Sequence, residues 1–162
     1  DRGPIFYSQI RSGYLQKPFK IIKLRTMVIN SEKDGPKWST KNDKRITKVG
    51  RFLRLMRIDE LPQLISVLKG EMSLIGPRPE RPEIDENLIE KIPYYELRYS
   101  VRPGLSGWAQ VNYPYGASQK DAEEKLSYDI FYLANFSFLL DLGIMFKTIK
   151  LVLNMRGAIA KN

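Results

Sequence analysis

Three prolines and a glycine fall within Ser73 to Pro82 (SLIGPRPERP). Proline lacks the N–H that helices and central strands require, and it fixes its own φ. The stretch therefore reads as a rigid turn that presents Arg78 from a stiff backbone. Arg78 offers a planar fork suited to phosphate. The local alternative is a surface arginine paired to Glu80 or Glu83.

Ahead of this turn, Pro4 to Ile10 and Phe19 to Thr26 are β-branched and aromatic, separated by a polar connection at Arg11 to Lys17. They predict a small hairpin. Alternation places Lys23 and Arg25 on one face and Leu24 on the other. An edge strand carrying lysine against aggregation would look the same. Ser31 to Asp43, with Gly35-Pro36 and Trp38, reads as a loop. Ile46, Val49, Leu53 and Met56 then form an apolar helical stripe, with Lys44, Lys48, Arg51, Arg54 and Arg57 over much of the remaining surface.

Adjacent carboxylates Asp59 and Glu60 follow. Pro62 is tolerated in a first helical turn, so a second helix is expected to begin near Asp59, with Leu61, Leu64, Ile65 and Leu68 as its apolar face and its end near Gly70. Such a helix start favours negative charge. An ordinary N-cap role for Asp59 fits the same spacing.

Beyond the turn, Glu83 to Lys91 and Tyr94 to Tyr99 predict short helices broken by Pro93. Val101 to Gly104 fits a type II turn, and Gly104 to Val111 a loop entering a short strand. A helix is expected from Ser118 through Asp129, and Ile130 to Arg156 is helical, apolar and aromatic, with Lys147, Lys150 and Arg156 late. It fits a core helix or an interfacial one, with Phe and Leu in the acyl boundary and lysines at headgroup level.

Composition narrows the chemistry. The chain has 162 residues, 43% of them hydrophobic, enough for one domain with a real core. There is no His and no Cys. Thiol chemistry, imidazole proton transfer and ordinary zinc sites are excluded, leaving carboxylates, hydroxyls, Lys, Arg or a hard cation on oxygen ligands. A formal net charge of +9 points to an anionic partner: nucleic acid, anionic lipid or a phosphorylated small molecule. No apolar run reaches the roughly 20 residues of a spanning helix. Nucleic acid is disfavoured, because the basic residues are not interleaved with aromatics as a base-stacking platform requires.

In joint order, Lys23-Leu-Arg25-Thr-Met27, Thr47-Lys-Val-Gly-Arg-Phe-Leu-Arg54, Asp59-Glu60-Leu-Pro-Gln-Leu, Gly70-Glu-Met-Ser-Leu-Ile-Gly-Pro-Arg78-Pro79 and Arg102-Pro-Gly-Leu-Ser-Gly-Trp108-Ala-Gln resemble the bacterial sugar transferases, the monotopic polyprenyl-phosphate phosphoglycosyl transferases. The resemblance implies an α+β catalytic domain over residues 1–162. It would be mostly helical, with a small N-terminal β-hairpin, short strands and amphipathic membrane-surface helices. It implies transfer of a sugar-1-phosphate from a UDP-sugar to undecaprenyl phosphate through an aspartyl phosphate, with UMP released, as the first membrane step of a surface glycan. Carried over, Asp59 is the nucleophile and Glu60 its partner and Mg²⁺ ligand. Arg78, Arg54, Lys23, Arg25 and Asp129 match family positions near the substrates. The family also implies a membrane-inserted segment before Asp1 and a place on the cytoplasmic face of the bacterial inner membrane. Self-association into a homo-oligomer is left open. The competing expectation is a non-catalytic basic module that assembles on the membrane surface.

Overall fold

The computed structural model describes residues 2–33, 35, 43–114, 116 and 118–154. The expected hairpin forms: β1 (Phe6–Ser12) pairs antiparallel with β2 (Pro18–Leu24), in a register that sets Tyr7 opposite Lys23. A single antiparallel bridge, Met27 to Ile46, then returns the chain to α1 (Lys48–Leu55). Thr47 caps α1, accepting from the Gly50 N–H at 2.9 Å. Most of the predicted loop around Trp38 lies outside the described residues.

Gly50 is where α1 meets the strand end. A Cβ there would run into the Thr26 backbone. Backbone cannot swing aside as a side chain can. Gly50→Ala is therefore expected to cost about 3 kcal/mol, the upper range for overpacking, read as a lower denaturation midpoint.

The helix expected to start near Asp59 is instead a 3₁₀ turn, Ile58–Gln63, followed by α2 (Leu64–Leu68). The cause is Arg57, whose left-handed backbone (φ 53°, ψ 18°) ends α1 and redirects the chain. Asp59 and Glu60 sit within that tight turn, so no α-helix N-terminus or N-cap role belongs to Asp59.

The proline-rich turn is bracketed by two elements. β3 (Ser73–Ile75) runs parallel to β4 (Gly104–Ser106), and α3 (Pro82–Lys91) starts on the last of the three prolines. The type II turn expected at Gly104 does not form, since that turn needs a positive φ which Gly104 lacks. Gly104 is required for another reason: a Cβ would collide with the Gly76 backbone across the strand pair. The expected strand at Val111 is also replaced. Residues Trp108–Asn112 form α4, closed by the Val111 N–H on the Gly107 carbonyl.

α5 (Gln119–Ala134) opens on a capping box between Ser118 and Asp121. The long apolar helix expected from Ile130 is broken at Asn135 to Ser137, where Ser137 caps α6 (Phe138–Leu153). A polar pair in an apolar run supplied the stop and the new cap. The core packs α3, the 3₁₀ turn Tyr95–Ser100 and α5 together through Leu88, Ile92, Tyr95, Tyr99, Ala122 and Leu126. The structure is thus α+β, with two separate two-stranded sheets beside the helices.

The apolar faces of α2 and α6 do not enter this core. Leu61, Leu64, Ile65 and Leu68 are exposed, as are Phe138, Leu139, Phe146 and Leu153, and Ile144 is the buried residue of α6. No helix among the described residues is long and apolar enough to cross a membrane.

Candidate active site

The turn that carries the dyad packs against β2, bringing together residues far apart in the chain. Glu60 is the centre. Its Oε1 accepts from Arg78 Nη2 at 2.6 Å and from Lys23 Nζ at 3.0 Å. Its Oε2 lies 3.4 Å from Arg78 Nη1 and 3.7 Å from Arg57 Nη1. Three cations therefore converge on one carboxylate. Burial alone would raise the pKa of Glu60, but Arg78 and Lys23, with Arg57 behind them, outweigh it and hold the group well below the ordinary range.

Asp59 has the opposite environment. Among the described residues no hydrogen bond or ion pair reaches its carboxylate, although it is only 8% exposed. Burial raises its pKa, the negative Glu60 adds to the rise, and the nearby charges of Lys23, Arg54 and Arg78 offset only part. Two adjacent carboxylates are thus pushed apart. One is a fixed anion that organises cations. The other is desolvated and, among the described residues, meets no hydrogen-bond or ion-pair partner. Divergent environments of this kind mark a division of roles.

Arg54 donates from Nε to Thr26 Oγ1 at 2.9 Å, with its charge felt at Asp59. Arg25 lies just past β2 and donates to the carbonyls of Pro4 and Met27 at 2.6 and 3.2 Å. Those bonds tie the chain entry together rather than extend to Glu60. Asp129, on α5, is buried at 2% exposure and faces Arg98, with its Oδ2 3.0 Å from Arg98 Nη2 and off the line of a well-aligned hydrogen bond. Burial pushes the Asp129 pKa up to about 6, against the pull of Arg98. Two participants were not singled out from sequence. Arg57 stands three residues before Glu60, a spacing that hints at pairing, but its backbone conformation carries the geometry. Arg98 had a weaker signal: an arginine between Tyr95 and Tyr99 in a segment whose aromatics must be buried.

The donor set can be weighed for Mg²⁺. Among the described residues no cluster of three acidic side chains is present. Mg²⁺ is commonly held by one or two carboxylates, with waters and substrate phosphates completing its shell. Asp59 keeps both oxygens unengaged, and a carboxylate has about four acceptor positions, so Glu60 retains capacity beside its cations. The residues fit an ion that binds together with a diphosphate.

Lys23 gives this site a pH signature. Burial lowers its pKa to about 8, with Glu60 opposing the shift. Above that value the ammonium is lost and Glu60 is deprived of a partner. Activity is expected to fall on an alkaline limb near pH 8, and Lys23→Arg should move the limb upward. The stability contribution runs the other way. The folded pKa lies below the ordinary 10.5, so the penalty for a charged Lys23 is fully present below about 8. It is relieved as pH rises from there toward 10.5. Rate–pH and denaturation–pH profiles should diverge across that window.

Residues 1–155 match the family described as bacterial sugar transferase. A UDP-N-acetylgalactosamine-undecaprenyl-phosphate N-acetylgalactosaminephosphotransferase of Aeromonas hydrophila is 47% identical over 96% of this chain and 37% of its own length. A UDP-glucose:undecaprenyl-phosphate glucose-1-phosphate transferase of Klebsiella pneumoniae is 41% identical over 91% of this chain and 32% of its own. One of the same description from Caulobacter vibrioides is 41% identical over 96% of this chain and 59% of its own. The chain spans about a third of the length of the first two relatives. With the match running through the hairpin, the Asp59–Glu60 turn and the proline-rich turn alike, the chain belongs to the bacterial sugar transferase family.

Proposed function

We propose that this chain is the catalytic domain of an undecaprenyl-phosphate glycosyl-1-phosphate transferase. The observation that carries the reading is the divergent dyad: an unengaged, desolvated Asp59 beside a Glu60 that gathers Lys23, Arg57 and Arg78. The relatives' names differ in the sugar and share the UDP donor and the undecaprenyl-phosphate acceptor. The shared parts are those a phosphate-directed site would recognise.

In the first step an Asp59 oxygen attacks the β-phosphorus of the UDP-sugar. The Oδ–P bond forms, the bond to the bridging oxygen breaks, and UMP leaves with the electron pair. In the second, a phosphate oxygen of undecaprenyl phosphate attacks the same phosphorus and Asp59 departs as carboxylate. Covalent catalysis of this kind splits one difficult displacement into two. Arg78 and Lys23 hold positive charge where the diphosphate arrives, and Glu60 keeps them in place before it does. Mg²⁺, held by Glu60 with Asp59 alongside, would supply charge neutralisation for the transferring group.

Apolar side chains exposed on α2 and α6, with Lys147 and Lys150 on the latter, suit a helix lying in the headgroup layer of the inner membrane. The non-catalytic assembly module would leave the dyad without a purpose. In liposomes containing undecaprenyl phosphate, UDP-sugar and Mg²⁺, the protein is expected to release UMP and form a lipid diphosphate sugar, and EDTA should abolish both. Membrane binding with no UMP from any UDP-sugar would favour the assembly module.

A further inference from the structure

We infer that Arg98, held by Asp129, is a positioning residue for Arg78: it fixes the backbone from which that guanidinium reaches Glu60. Arg78 lies between Pro77 and Pro79, and neither proline can donate a hydrogen bond. With those two donors missing the loop is anchored through its carbonyls, and four in succession are taken. Gly104 N–H donates to Pro77 O at 2.8 Å, Arg98 Nη2 to Arg78 O at 2.8 Å, Arg11 Nη1 to Pro79 O at 3.1 Å, and Ser12 N–H to Glu80 O at 2.9 Å. Two of these donors are backbone groups of β4 and β1. The donor under Arg78 itself is a side chain, and it works only if its own geometry is fixed.

It is fixed from three sides. Arg98 Nη1 donates to the Tyr95 hydroxyl at 2.5 Å, and its guanidinium carbon lies 5.0 Å from the Tyr95 ring centre and 5.9 Å from that of Tyr99. Asp129 supplies the countercharge at 3.0 Å. At 7% exposure Arg98 has no water shell to replace it. Asp129 is carried by α5, whose Ala122 and Leu126 are core residues, so the relay runs from the rigid body to the turn. Its order is Asp129, Arg98, the Arg78 carbonyl, the Arg78 guanidinium, Glu60. This gives Asp129 a role without substrate contact.

The inference rests on the proposed reading only for what Arg78 does to a substrate; the backbone relay stands apart from it, and the test has two arms. The first is ¹⁵N-arginine NMR of the protein without substrate. In Arg98→Lys and in Asp129→Asn, exchange of the Arg78 side-chain protons is expected to speed by about tenfold or more, with the core amides unchanged. Unchanged Arg78 exchange in a folded variant overturns the relay. Should Arg98→Lys not fold, the isosteric Asp129→Asn decides. The second arm is a double-mutant cycle on UMP release. Arg98→Lys should lower turnover about tenfold in the natural sequence but less than about twofold in an Arg78→Ala background. Losses that multiply in both backgrounds overturn it. If the unsubstituted protein releases no UMP, the proposed function fails, and the NMR arm still decides the relay.

Discussion

Asp59→Asn is expected to remove turnover, by on the order of a thousandfold or more, as loss of a nucleophile does, while leaving the protein at least as stable as before. The two effects come from one observation. Asp59 is buried and, among the described residues, meets no hydrogen-bond or ion-pair partner. Burial and the neighbouring Glu60 both disfavour its charge. Its folded pKa is raised, so the penalty is present above that pKa and relieved as pH falls through it. An amide of the same shape carries no such penalty at neutral pH. Function here is held at a cost to stability, and removing the carboxylate should release it. Denaturation midpoints and UMP release, measured on the same preparation, check both halves. A variant that loses activity because it unfolds would show Asp59 to be structural.

Glu60→Gln should behave in the reverse way and lose both. The substitution leaves Lys23, Arg57 and Arg78 facing one another around a neutral amide. Breaking a buried pair typically costs about 3 to 5 kcal/mol. The lower figure is expected here, because Arg78 keeps 34% of its side chain exposed and is screened accordingly. The depressed Glu60 pKa sets the sign: its contribution is fully present above the ordinary glutamate range and lost only as pH falls through the folded value. Chemical denaturation at neutral pH should therefore show a clear loss in Glu60→Gln, and activity should fall with it. Adjacent residues of the same chemical type would then differ in the sign of their stability effect.

Much of this was legible in the chain. The hairpin followed from two β-branched and aromatic runs around a polar connection, and β1 and β2 end within two residues of the expected bounds. The dyad, Arg78, Arg54 and Lys23 are legible through the family resemblance of the ordered motifs, since the local spacing of Asp59 fits an ordinary N-cap equally well. What sequence spacing could not supply was convergence. Lys23 and Glu60 are 37 residues apart, and only the packing of β2 on the Ile58–Gln63 turn brings them to 3.0 Å. Nor did the pattern distinguish a helix start from a 3₁₀ turn, since Pro62 suits both; the left-handed Arg57 decided it. The apolar stripe of Leu61, Leu64, Ile65 and Leu68 lies exposed, because periodicity reports an apolar face and not what covers it. Arg25 was grouped with Lys23 by strand alternation. Its guanidinium bonds the Pro4 and Met27 carbonyls, which spacing alone does not indicate.

In the proposed reaction Asp59 carries the sugar phosphate between donor and acceptor. The protein should be mixed with Mg²⁺ and a UDP-sugar labelled in the β-phosphate, without undecaprenyl phosphate, then quenched and digested. Label is expected on the peptide containing Asp59, absent in Asp59→Asn, and discharged to lipid when undecaprenyl phosphate is added before the quench. Label that passes to lipid without residing on the protein, or that persists on the protein in Asp59→Asn, would contradict the account.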